Sequence, residues 1–353
     1  MHTAIAGERR AHYTPQNRQE GGRTGQKPIM AEIIAPAEAR PFVTIVAAGE
    51  SGPLDIDPGL ITRLYRQHGA LLLRGFAADL DGFRRFAERY CIASVFNDSR
   101  GRVVLDDANN IQSVNRGVAP FPLHPELSRE PWRPDVCFFG CLNPPRREGA
   151  TTVCDGVEIV RHLPADVRRA LEGRRLLYAQ PAIIEELDYW LGTANPSDAQ
   201  LSAPPAGCPY FFWRAPAMIV RAFTRPALHR PMFTDAPAFG NFLLFARYCL
   251  GTKDYPLFED GSQVPDSLLA VVKSVSDRLT APIVWQKGDL LMIDNTRFMH
   301  GRTAIRDAEE RLIASYFGYL RFAVPDEEEP ADAPWRSGTF QPPRRLAPAD
   351  QAA

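Results

Sequence analysis

The stretch FPLHPELSREPW, residues 121–132, sets His124 two positions before Glu126 with a proline between them. In a strand, side chains at i and i+2 point to the same side. An extended reading therefore places an imidazole and a carboxylate on one face, both within reach of one ion. Pro125 cannot donate to a sheet ladder, so it suits an edge or rim. A third donor stands far along the chain: His300, in DNTRFMHGR, ends an apolar strand-like run. Two imidazoles and one carboxylate form the facial triad of non-haem Fe(II) oxygenases, which leaves coordination positions open. A two-oxygen cosubstrate takes two of these and dioxygen takes another.

A His-x-Glu pair alone is a weak signal, because a buried histidine bonded to a carboxylate is common. Arg311 strengthens it. It opens the apolar segment RLIASYF, eleven residues after His300. A guanidinium in a buried strand must be paired, and a cosubstrate carboxylate supplies a bidentate partner. Thr151, in EGATTVCD, offers a hydroxyl to the same anion, although a threonine there is also an ordinary strand former. Two rival readings use the same three donors. A zinc hydrolase also accepts two histidines and a glutamate, but it has no need of Arg311 and the chain lacks an HExxH helix. A non-catalytic binding protein would keep the three residues as structure.

The elements that must position these residues follow from periodicity. DPGLITRLYRQHG and DLDGFRRFAERYC carry apolar residues at helical spacing after acidic starts. ALLLRGF, DVCFFGCLN, GATTVCDG, IVWQKGDLLMIDN and RLIASYFGYLRF read as strands. VEIVRHLPADVRRALEGR reads as a helix pair broken at Pro164. From Tyr178 to Arg214 the chain reads as a long irregular loop rich in aromatics, suited to one side of a binding entrance. Short strands with helices outside them predict a closed or two-sheet β core.

Composition narrows the function classes. The chain has 353 residues, a net charge of -1, 45% hydrophobic and 24% charged residues. That is ordinary for a soluble globular protein. No charge excess points to nucleic acid, and no apolar run is long enough to span a bilayer. The six cysteines show no CxxC pair, so they are expected to be reduced thiols, and the N-terminus has no apolar signal region; both predict a cytoplasmic protein. Three regions are expected: a disordered polar leader over 1–38, with Met30 as a candidate natural start; a single domain over 39–323; and a loose acidic, proline-rich tail over 324–353.

The combined motifs LHPELS, CFFGCLNPPRREGATTVCDG, EDGSQVP at 259–265, VWQKGDLLMIDN at 284–295, HGRTAI and ERLIASYF resemble the TauD/TfdA family of Fe(II)- and 2-oxoglutarate-dependent dioxygenases. GALLLRGF at 69–76 also fits. Within that family the pattern is most similar to the SyrP-like branch found beside nonribosomal peptide synthetases. The resemblance implies a double-stranded β-helix, or jelly roll, with flanking helices. It implies Fe(II), 2-oxoglutarate and O2 as cofactor and cosubstrates. It assigns iron to His124, Glu126 and His300, and 2-oxoglutarate to Thr151 and Arg311.

Two departures shape the expected substrate. Taurine-type members carry a second arginine four residues after the first, for the substrate anion; that position is Ser315 here. Halogenating relatives replace the carboxylate ligand with a small residue, whereas Glu126 is present. The resemblance thus implies hydroxylation of an unactivated C–H in an amino-acid-like or peptide-like metabolite of secondary metabolism. The substrate would be free or tethered to a carrier protein. Desaturation, epoxidation and cyclisation use the same oxidant. Arg302, Arg225 and Arg221 are the candidates for a substrate carboxylate.

Overall fold

The computed structural model describes residues 10–12, 31–306 and 311–343. Two facing sheets form the body. Among the described residues the larger has ten strands. Its centre is Leu290–Asp294, Val136–Asn143 and Leu312–Leu320, all antiparallel neighbours. The smaller runs Ala281–Ile283, Thr151–Asp155, Phe298–Arg302, Phe121–His124. This is the jelly roll, with helices on the outside.

The central strands are apolar on both faces because both faces are covered. Phe138, Met292 and Tyr316 face one cluster with Tyr65, Phe83 and Phe86 of the helices Pro58–His68 and Leu80–Tyr90. Phe139, Leu291 and Phe317 face the opposite way, toward Val153 and Met299 of the smaller sheet. Each helix is started by an aspartate that accepts backbone N–H groups: Asp57 from Gly59 and Leu60, Asp79 from Gly82. Gly140 lets the second helix approach, since a Cβ there would lie 2.7 Å from the Phe83 ring.

A third sheet, Phe211–Ala215, Met218–Pro226, Arg175–Pro181 and Leu257–Phe258, packs beside the roll. It corrects the expectation of an irregular loop from Tyr178 to Arg214. That stretch holds the end of a strand, the helices Ile184–Leu191 and Asp198–Ser202, and another strand. Its aromatic richness is largely packing: Trp190 stacks on Trp132 with ring centres 5.9 Å apart, and Tyr210 meets both.

Both expected boundaries also shift. Ala31–Ile34, assigned to the leader, is a strand paired antiparallel with Val43–Ala47, and Arg10–His12 pairs with it in turn. The rest of the leader lies outside the described residues. In the tail, residues 324–343 dock on the domain rather than hanging loose. Trp335 is buried, Arg336 pairs with buried Asp135, and Phe340 packs on Trp132. Residues 344–353 lie outside the described part.

Candidate metal centre and cosubstrate pocket

The strand Phe121–His124 lies at the edge of the smaller sheet, and His124 sits directly opposite His300 in its register. Directly opposed residues project to the same side of an antiparallel pair. The two imidazole rings accordingly lie 4.6 Å apart, and His300 rests on Phe139 of the facing sheet. The site is therefore between the sheets, at their open end.

Glu126 arrives by a different route from the one its spacing suggests. The strand ends at His124, and residues 126–129 are a turn. Asn295 fixes that turn. Its Oδ1 accepts from the Glu126 N–H at 2.7 Å, and its Nδ2 donates to the carbonyls of Glu126 and Pro134. Leu127, the next residue, has a φ of 49°, a left-handed conformation that such a turn requires of it. Ligand atoms of His124, Glu126 and His300 all lie within 4.8 Å of one another.

The electrostatics prepare these donors for a cation. Nδ1 of His124 meets the Pro122 carbonyl at 2.9 Å, which puts the proton there and leaves Nε2 with its lone pair. Burial first, and the neighbouring His300 second, push the His124 pKa down to about 4, so the ring is neutral at pH 7. Burial opposes ionisation of Glu126, but the Arg102 guanidinium and His300 outweigh it and hold the carboxyl well below its ordinary range. The neutral His124 ring, the His300 imidazole and an ionised Glu126 carboxylate make a donor set that suits iron(II).

The cosubstrate residues form a second cluster. Arg311 is buried, and Nε donates to the Gly149 carbonyl at 3.0 Å. Among the described residues no carboxylate pairs with it. Burial, and then Arg302 nearby, lower its pKa to about 10, which leaves it a cation. A buried cation with no counter-ion among the described residues fits a dicarboxylate cosubstrate. Thr151 lies opposite Arg302 on the neighbouring strand and accepts from the Trp285 indole at 3.0 Å. The loop before Thr151 contains Glu148 and Gly149, both left-handed at φ of 56° and 73°. A side chain at Gly149 would crowd Ile305 and Arg311, so the turn that aims the Gly149 carbonyl at Arg311 needs a glycine.

The three arginines expected to meet a substrate carboxylate each have protein partners, although Arg302 Nε and Arg225 Nη1 are buried without one among the described residues. Arg302 gives its Nη groups to the carbonyls of Asn115, Gly117 and Ala119. Arg221 is locked between Glu186 at 2.9 Å and Glu130 at 3.5 Å. Arg225 donates to the Pro131 carbonyl. None of the three lines the cleft above the triad, which is about 1870 Å³ in volume. Its walls near the triad are Asn97, Arg102, Phe121, Phe242 and Phe245 instead. Asn97 and Arg102 each hold one oxygen of Glu126. Sequence reading missed both, because a polar NDSRGR loop carries no periodic or motif signal.

A jelly roll with a buried His-Glu-His cluster at its open end is the architecture of a mononuclear metal oxygenase. The model of the taurine catabolism dioxygenase TauD, TfdA family, matches residues 42–316, and the chain belongs to that family. The protein is an Fe(II)- and 2-oxoglutarate-dependent dioxygenase that uses O2. Solved structures share the fold at low identity. PvcB of Pseudomonas aeruginosa superposes with a TM-score of 0.54 at 15% identity, covering 88% of this chain and 98% of its own. PvcB is described as an Fe, alpha-ketoglutarate dependent oxygenase from an isonitrile synthetic pathway. A taurine dioxygenase from Burkholderia xenovorans gives 0.54 at 12%, covering 89% and 100%. AAD-2, solved with Mn(II) and N-oxalylglycine, gives 0.53 at 12%, covering 84% and 98%. No curated protein matches the sequence.

Proposed function

We propose that the protein hydroxylates an unactivated C–H of an amino-acid-like or peptide-like metabolite in a secondary biosynthetic pathway. The observation that carries the substrate class is the cleft. Its volume of about 1870 Å³ exceeds the roughly 300–1,000 Å³ of ordinary small-ligand pockets. It admits an extended amino-acid derivative as well as a small one. The likeness of the sequence motifs to the SyrP-like branch points the same way, as does the biosynthetic setting of PvcB.

His124, Glu126 and His300 would hold the iron, and Arg311 with Thr151 would hold the far carboxylate of 2-oxoglutarate. Bound there, the group supplies an oxidant that converts R–H, 2-oxoglutarate and O2 to R–OH, succinate and CO2. The chain's own part is positional. Asn295 sets the Glu126 turn, Pro122 fixes the His124 tautomer, and Phe139 backs the His300 ring. Phe121, Phe242 and Phe245 wall the reacting carbon away from water. The cytoplasm belongs to the same proposal. It rests on six free cysteines, and no helix among the described residues is long and apolar enough to cross a membrane.

The test has two stages. Iron(II) and then 2-oxoglutarate, added under nitrogen, should give a visible charge-transfer band that His124→Ala and His300→Ala each abolish. Candidate amino acids and peptides are then assayed for substrate-dependent succinate with a gain of one oxygen. A wild-type protein that forms no band sinks the residue assignment. Turnover confined to compounds without an amino-acid framework sinks the substrate class.

A further inference from the structure

Arg102 is a cation of the cleft beside the triad, and beyond its bond to Glu126 the dioxygenase reaction gives it no role. It follows Gly101, whose φ of 75° turns the chain, and whose missing Cβ makes room for Asn115. The turn is tied by Arg116 N–H to the Gly101 carbonyl and by Asn115 to the Arg100 carbonyl. Arg102 then reaches inward. Its guanidinium lies over the Phe317 ring, 5.2 Å from the centre. Nη2 is 3.2 Å from Glu126 Oε2, and Nη1 is 3.2 Å from the Ser315 hydroxyl. The side chain is only 9% exposed, yet it lines the cleft.

Donor counting shows what is missing. A guanidinium offers five N–H groups, and the two contacts with Glu126 and Ser315 engage two of them. Nε is buried with no partner among the described residues. Glu126 Oε2 is also the oxygen turned to His300, at 3.6 Å, so it is the one a metal at the triad would take. Iron(II) held there would be balanced by Glu126 and 2-oxoglutarate, and Arg311 would pair with the cosubstrate's far carboxylate. Arg102 would then share Glu126 with the metal, and a buried cation whose one carboxylate is shared in this way suits a further anion.

We propose that Arg102 anchors the free carboxylate of the substrate, with Ser315 orienting its guanidinium. This rests on the amino-acid-like reading above and narrows it to a substrate that keeps its own carboxylate. A carrier-bound thioester has none at its linked end. Arg102 comes from a loop far in sequence from Arg311, and it supplies a cation at the place where the Arg311 strand itself offers only Ser315.

The experiment uses the full chain loaded with iron(II) and 2-oxoglutarate under nitrogen. It is titrated with the L-amino acids, their carboxamides and their N-acetylcysteamine thioesters. Binding is read from the change in the visible band and by calorimetry, independent of turnover. At least one free acid should bind, with its amide and thioester weaker by roughly ten- to a hundredfold, the worth of a charge-assisted contact. In Arg102→Met that ratio should collapse to near one, and Arg102→Lys should keep part of it. Melting curves establish that each variant is folded. If Arg102 only steadied Glu126, acid and amide would weaken together and the ratio would stay. A retained ratio, a thioester that binds best, or no binding by any free acid overturns the proposal. An acid that binds in the expected way but gains no oxygen under air leaves the anchor standing and removes the hydroxylation reading.

Discussion

Asn295 holds both backbone groups of Glu126, although the two residues are 169 positions apart. The carboxylate sits in a turn outside any strand, so Asn295 fixes its backbone while Asn97 and Arg102 hold its oxygens. Replacing it leaves a buried N–H and two buried carbonyls without partners.

Asn295→Ala should cost about 2–4 kcal/mol of stability, at roughly 1–3 kcal/mol per stranded group with partial relaxation. Iron affinity should fall about ten- to a hundredfold, as is usual when the support of a metal ligand is removed. Denaturant melts and anaerobic iron titration measure the two. Unchanged iron affinity would show that Glu126 holds its position without Asn295.

Arg311→Leu should separate the cosubstrate from the metal. The guanidinium has no carboxylate partner among the described residues, so removing it should weaken 2-oxoglutarate by about ten- to a hundredfold. Iron binding should stay close to wild type. An unaltered 2-oxoglutarate constant would move the far carboxylate elsewhere, with Arg302 the next residue to test.

A chain ended after residue 330 tests the docked tail. It loses buried Trp335, the Phe340 contact with Trp132, and Arg336, which neutralises buried Asp135. The loss of a buried aromatic and of one partner of a buried pair predicts roughly 3–6 kcal/mol of destabilisation. Thermal melts that match the full chain would contradict the docking.

His229 gives a pH signature. Burial, and then Arg133, lower its pKa from 6.5 to about 3, while Nε2 meets the Thr296 carbonyl at 2.6 Å. The unfolded chain therefore takes a proton near pH 6.5 that the folded chain refuses until about pH 3. Stability from this group is full above 6.5 and is lost as pH falls through that window. His229→Gln keeps a donor for Thr296 and removes the titration. The stability difference between pH 7 and pH 4 should shrink by roughly 1–3 kcal/mol. His124 continues to supply part of it, since its pKa is lowered in the same direction. An equal difference in both proteins would show that His229 is not kept neutral.

Much of this protein could be read in the chain. The run LLMID and the FFG of Val136–Asn143 are apolar at successive positions, which only a strand covered on both faces tolerates. His124, Glu126, His300 and Arg311 stand out because ionisable groups in or beside such runs need partners. What the sequence could not show is how distant segments meet. Glu126 looked like a strand neighbour of His124, but its place is set by Asn295, across a contact that no local spacing encodes. Arg302, Arg221 and Arg225 were candidates for a substrate, and their contacts with carbonyls and glutamates away from the cleft emerge only in the tertiary structure. Arg102 looked like one more charge in a polar loop. Its proximity to Glu126 arises only when the loop folds over the sheet, because a side chain's electrostatic role depends on what lies within a few ångströms of it, and that is decided by packing.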